Sequence, residues 1–127
     1  MPLNCEFSTV KALPAVAIVA LRGAIDPITI SELQKSLLRV SGKGFRTLVL
    51  DLGEIRYINS AGLSYLVNLS DQLNARGGAL LLANAQPKVK VVFDLMGVGQ
   101  FFKLHKTVGA ALVTVAEGRR KRLRRQA

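Results

Sequence analysis

Three short and almost wholly apolar runs constrain what this chain can fold into. They lie at residues 15–21 (AVAIVAL), 45–52 (FRTLVLDL) and 79–83 (ALLLA). Each is far shorter than the roughly 18 apolar residues of a membrane span. None shows the alternation of a strand with one wet face. Such runs fit strands that are covered on both faces, as in a parallel sheet. The segments between them carry the 3.6-residue period of helices. Leu33, Leu37 and Val40 fall on one stripe, and Leu63, Leu66, Val67, Ser70 and Leu73 on another. Strands that need cover, alternating with helices that each offer one apolar stripe, define a layered α/β domain.

Start and stop signals place the elements. Residues 6–11 alternate weakly, as a first strand. Pro14 suits the start of the second, and Gly23 with Asp26-Pro27 breaks it. Thr29 and Glu32 match a capping box, with Ile28 and Leu33 at the positions of a hydrophobic staple. Residues 41–44 (SGKG) stop that helix. After residues 45–52, Gly53-Glu54 reads as a turn, and a loop continues through Tyr57 and Ile58. Asn59 is the expected N-cap of the second helix, with Ile58 and Leu63 as its staple, and residues 76–78 (RGG) end it. Asn84 to Pro87 leads into a third helix with Val89, Val92, Phe93 and Met96 on one face, closed by Gly97 and Gly99. Residues 103–105 offer a short last strand. Thr107 caps a final helix that turns Val108, Ala111, Leu112 and Val115 inward. The order β-β-α-β-α-β-α-β-α predicts one α/β domain, with a mixed, mostly parallel sheet of about five strands and about four helices.

Charge divides this chain into 1–117 as the domain and 118–127 as a basic C-terminal tail. Of the net +10, six units come from Arg119, Arg120, Lys121, Arg122, Arg124 and Arg125, which leaves +4 for the rest. Such a tail attracts nucleic acid or an anionic membrane, or is simply a solvated terminus. The absence of aromatic residues between the bases argues against single-strand binding. The first residues lack a basic segment followed by an apolar one, so no secretory signal is expected. With a single cysteine, Cys5, this fits a reducing cytoplasm.

Enzyme constellations are missing, and no catalytic residue, metal site or cofactor is expected. There is no P-loop, no G-x-G-x-x-G and no G-x-S-x-G. His105, the one imidazole, sits between Leu104 and Lys106 on an expected edge strand, where packing accounts for it. Gly97-Val98-Gly99 is too short to cradle phosphate. Asp26 and Asp51 fall at the ends of apolar strands. They form either a rim for a cation or acid–base chemistry, or two turns. A nucleotide site on the Asp26 and Ser60 rim is a minor reading. The remaining candidate is Asn59-Ser60-Ala61-Gly62, small residues at a helix mouth whose first-turn N–H groups are unpaired.

The run from Val49 to Ile55, continued by Ile58-Asn59-Ser60-Ala61-Gly62-Leu63, resembles the signature of STAS domains. That fold is shared by bacterial anti-sigma factor antagonists and the cytoplasmic domains of sulfate transporters. The family pattern is roughly V-L-D-L-S-x-V-x-x-I-D-S-S-G-L, and residues 21–26 (LRGAID) resemble its L-x-G-x-L-D. Residues 77–84 and 89–102 are similar to its later strand and helix. The resemblance implies a non-enzymatic partner switch. The antagonist binds an anti-sigma factor that is also a serine kinase, phosphorylation of the loop releases it, and a phosphatase resets it. The implied partner surface is Asp26, Asn59, Ser60, Ala61, Gly62 and Ser64. Two positions depart from the pattern. Asn59 replaces the family's Asp, and Ala61 occupies the acceptor position before Gly. Ser60 is then a substitute acceptor, or the domain binds without phosphorylation, or it serves another STAS branch, such as the small subunit of a lipid-transport ATPase complex.

Overall fold

The computed structural model describes residues 3–126. Five strands are β1 (Asn4–Val10), β2 (Leu13–Ile25), β3 (Thr47–Ile58), β4 (Ala79–Ala83) and β5 (Leu104–His105). Four helices are α1 (Ile30–Ser41), α2 (Ser60–Ala75), α3 (Pro87–Leu95) and α4 (Val108–Gln126), with a 3-10 turn at Val98–Gln100. The strands lie in chain order across one sheet, with β1 antiparallel to β2 and all others parallel. From β2 onward each strand is laid beside the last in the same direction. Crossovers of one hand then put α1, α2 and α3 on the same face.

Strand parity sorts the core accordingly. Leu48, Leu50 and Leu52 of β3 pack with Leu33, Leu37, Leu63, Leu66 and Phe93 from the three-helix side. Val49, Leu81 and Val16 point the other way and meet Ala111 of α4. This answers the uninterrupted apolar runs, because both sheet faces are covered. The stripes expected on α1 and α2 are the buried faces, with Leu69 buried beside them and Val67 only partly buried. Met96, expected on the inward face of the third helix, is 48% exposed, because α3 stops at Leu95.

Two strands run further than the turn signals suggested. β3 continues through Gly53-Glu54 to Ile58, and β2 continues past Gly23 to Ile25. Gly53 is a sheet residue whose missing side chain makes room. A Cβ there would lie 2.4 Å from the side-chain Nδ2 of Asn84. Asp51 is consequently no rim carboxylate. Its Oδ1 accepts from the Gly53 N–H at 3.0 Å and from Asn84 Nδ2 at 3.2 Å, and Gln86 Nε2 donates to the Gly53 carbonyl at 2.8 Å. These bonds tie the β4–α3 loop to β3 just where β4 ends. At the outer side of the sheet, β5 pairs only with Leu82 and Ala83. The first three residues of β4 therefore have no strand neighbour on that side.

The turn before β4 depends on close backbone approach. A Cβ on Gly78 would lie 1.8 Å from the carbonyl oxygen of Arg46. Neither backbone can yield without pulling β4 from β3. Gly78→Ala is expected to lose more than about 2 kcal/mol of stability, read as a lower urea midpoint at unchanged m-value. A midpoint equal to that of the parent chain would refute this account of the turn.

A candidate docking surface at the mouth of helix α2

The long β2–β3 pair sets the geometry of this surface. Their parallel register ends at Ile25 opposite Ile58, and the Asn59 N–H donates to the Ile25 carbonyl at 3.0 Å. The β2–α1 and β3–α2 loops therefore leave the sheet side by side. Asn59 caps α2 as its residue type demands, with Oδ1 accepting from the Gly62 N–H at 2.8 Å. Ile58 and Leu63, the staple pair, are both buried in the core. Gly62 is buried too, and a Cβ there would lie 2.6 Å from Ile25 Cγ2. The glycine lets the first turn of α2 rest against the end of β2. Ser60, Ala61 and Ser64 are exposed, and Asn59 is half-buried. No acidic residue occupies the first turn, so the positive end of the helix is not neutralised there.

The neighbouring loop is built differently from the capping box expected of it. Thr29 makes no side-chain cap to α1. Its hydroxyl donates to the Ala24 carbonyl at 2.7 Å and accepts from the Asp26 N–H at 3.1 Å. Asp26 Oδ1 takes over instead, accepting from the N–H groups of Ile28 and Thr29, both at 2.9 Å. The Thr29 N–H above all, with Ile28 assisting, holds the Asp26 carboxyl below its ordinary range against a smaller desolvation effect. This Asx turn buries Thr29 and throws Ile28 outward, so the predicted Ile28–Leu33 staple does not form. Ile28 is 84% exposed.

Asp26, Asn59, Ser60, Ala61, Gly62 and Ser64 thus stand on two adjoining loops and the first turn of one helix. Two apolar residues accompany them that the sequence reading left out. The staple pattern turns Ile28 inward, and Tyr57, 52% exposed, lies in the stretch that reads as a loop. Asp26-Pro27-Ile28-Thr29 carries the signal for this turn, since Asp can bond its own backbone two residues on.

The basic residues 119–125 lie elsewhere. They form the last turns of α4, which runs unbroken to Gln126. Arg119 donates to the Ala12 carbonyl and Arg122 to the Gly77 carbonyl, each at 3.2 Å. His105 is buried on β5. Burial first, then the charge of Lys103, pushes its pKa below the ordinary imidazole value. Among the described residues no cluster of His, Cys, Asp and Glu could hold a metal, and no helix is long and apolar enough to cross a membrane.

The family model of the STAS domain matches residues 8–111, so this chain belongs to the STAS domain family. Its curated relatives carry anti-sigma names. It is 32% identical over 103 residues to BtrV of Bordetella bronchiseptica, a proposed anti-sigma factor antagonist, covering 81% of this chain and 89% of that protein. It is 29% identical over 111 residues to the anti-sigma-F factor antagonist RsfB of Mycobacterium tuberculosis, covering 87% and 90%. In fold it matches the unphosphorylated form of the anti-sigma factor antagonist SpoIIAA with a TM-score of 0.72 at 19% identity, covering 90% of this chain and 97% of that one. The phosphorylated form of SpoIIAA, from Bacillus, matches at 0.62.

Two substitutions test how the loops are held. Gly62→Ala is expected to cost about 1–3 kcal/mol by crowding Ile25, measured as a shift in urea midpoint. Asp26→Ala should lower stability at pH 7. The depressed carboxyl stabilises the fold above its unfolded pKa of about 3.9, and that contribution is lost as pH falls through the folded value. The gap between the parent and Asp26→Ala should therefore narrow steadily as pH falls below about 3.9. A gap that is the same at pH 7 and pH 3 would remove the charge from the explanation.

Proposed function

We propose that this chain is an anti-sigma factor antagonist, a non-catalytic cytoplasmic regulator in a partner-switching system. Its partner is an anti-sigma factor with serine kinase activity, docked on Asp26, Ile28, Asn59, Ser60, Ala61, Gly62 and Ser64. The observation that carries the reading is the side-by-side exit of two loops enforced by the Ile25–Ile58 register. It places an apolar side chain, two exposed hydroxyls and an unneutralised helix mouth on one edge. The anti-sigma names of the relatives supply the class of partner.

Phosphate control rests on narrower ground. Ala61 has no hydroxyl at the position before Gly62. Ser60 is exposed at the first residue of α2 and is the substitute acceptor. A phosphate there adds about −1.5 to −2 charge. The positive end of the helix accommodates it, so the fold persists while the docked partner meets a new anion. A phosphatase would reverse the change.

Incubation with the cognate kinase and ATP, followed by mass spectrometry, should place one phosphate on Ser60, and none in Ser60→Ala. The variant A61S should gain a second acceptor. Ser60→Asp should weaken partner binding at least tenfold while leaving the urea midpoint within about 0.5 kcal/mol of the parent. Parent-like affinity in both Ser60→Asp and Ile28→Ala would remove this edge as the docking surface. Absence of phosphate on Ser60 would remove only the phosphate control.

A further inference from the structure

The opposite edge of the sheet carries a groove that the docking surface leaves unused. Where β2, β3 and β4 begin, a cleft of about 240 Å³ is bordered by Arg46, Arg119 and Arg122. Two of these guanidinium groups are already anchored. Arg119 donates to the Ala12 carbonyl and Arg122 to the Gly77 carbonyl, which leaves their other N–H groups available. The Arg46 side chain has no hydrogen-bonding or ionic partner among the described residues. No Asp or Glu borders the cleft. Three cations thus share one recess without a counter-charge.

Thr47, Gly77, Val115 and Arg122 also line a second cleft of about 440 Å³ under α4, so the two clefts adjoin. The walls of this second cleft are largely apolar, with Leu81, Phe101, Phe102 and Val115 among them; Lys103, His105 and Thr114 also line it, and it too has no carboxylate. This is the size and character of small-molecule sites, a mostly apolar cleft with a few polar groups. The open side of β4 forms part of the wall, because β5 covers only Leu82 and Ala83. Most of the arginine end lies beyond the stretch matched by the family model, which stops at residue 111.

The geometry points to a binding site for a single anionic amphiphile, with its phosphate or similar head among Arg46, Arg119 and Arg122 and its hydrocarbon body in the cleft beneath α4. Charge complementarity selects the anionic head, since guanidinium forks match phosphate oxygens. The apolar continuation selects an attached chain over a bare ion. The recess between α4 and the sheet selects one molecule over a bilayer surface.

The test uses the full chain, labelled for amide NMR, with octyl phosphate below its micellar concentration. Saturable shifts should appear at Gly77, Gly78, Phe101 and Lys103 and leave Asn59 to Gly62 unmoved. Inorganic phosphate should bind at least tenfold more weakly, and octyl glucoside should give no saturable shift at these amides. The double variant Arg46→Gln/Arg122→Gln should lose at least tenfold in affinity. Arg124→Gln, on the same helix but outside the groove, should bind as the parent does, with unchanged circular dichroism in both variants. The site is overturned if octyl phosphate gives no saturable shift, if octyl glucoside binds equally well, or if the double variant keeps the parent affinity. It is likewise overturned if phosphatidylglycerol vesicles or a nucleic-acid oligomer bind the chain while octyl phosphate does not.

Discussion

The parallel pairing of β2 with β3 is the interaction on which the rest of this structure depends. β4 and β5 are short, and the sheet would be narrow without the two long central strands. Their pairing runs from Val16 opposite Thr47 to Ile25 opposite Ile58, with register shifts near Leu21 and Gly23. Those irregularities keep the buried side chains facing the three-helix layer over a span that outruns β4. Beyond Asp51 the strand partner of β3 among the described residues is β2 alone, and the Asp51–Asn84–Gln86 bonds fix the start of α3 beside it.

Residues 79–83, the two core stripes and the Asn59 cap were legible in the sequence because each depends on local chemistry. Asparagine at a helix start has one favoured bond to make, and an apolar pentamer between a glycine pair and an asparagine has few options. Gly53-Glu54 misled because its turn-like composition reflects a distant neighbour. The glycine is small to admit Asn84, 31 residues on in the chain, and nothing local reveals that. Ile28 misled for another reason. Two capping schemes competed for the same residues, and the buried Thr29 hydroxyl, bonded back to Ala24, decided between them.

Charge density was also an incomplete guide at the C-terminus. Arginine and lysine are good helix formers, and no proline interrupts residues 108–126, so helix propensity extends α4 through the basic segment. Anchoring by Arg119 and Arg122 to two carbonyls then joins that segment to the sheet edge. The segment that reads as a solvated tail is thus an exposed helix end with two of its guanidinium groups held by carbonyls.

The two-residue β5 has a consequence for the life of the molecule among copies of itself. A sheet that ends in so short a strand leaves backbone donors and acceptors of β4 without a strand partner, and such an edge is a template for adding a foreign strand. Lys103 and Arg122 stand beside that edge. Like charges there would repel across two approaching copies, which opposes edge-to-edge zippering.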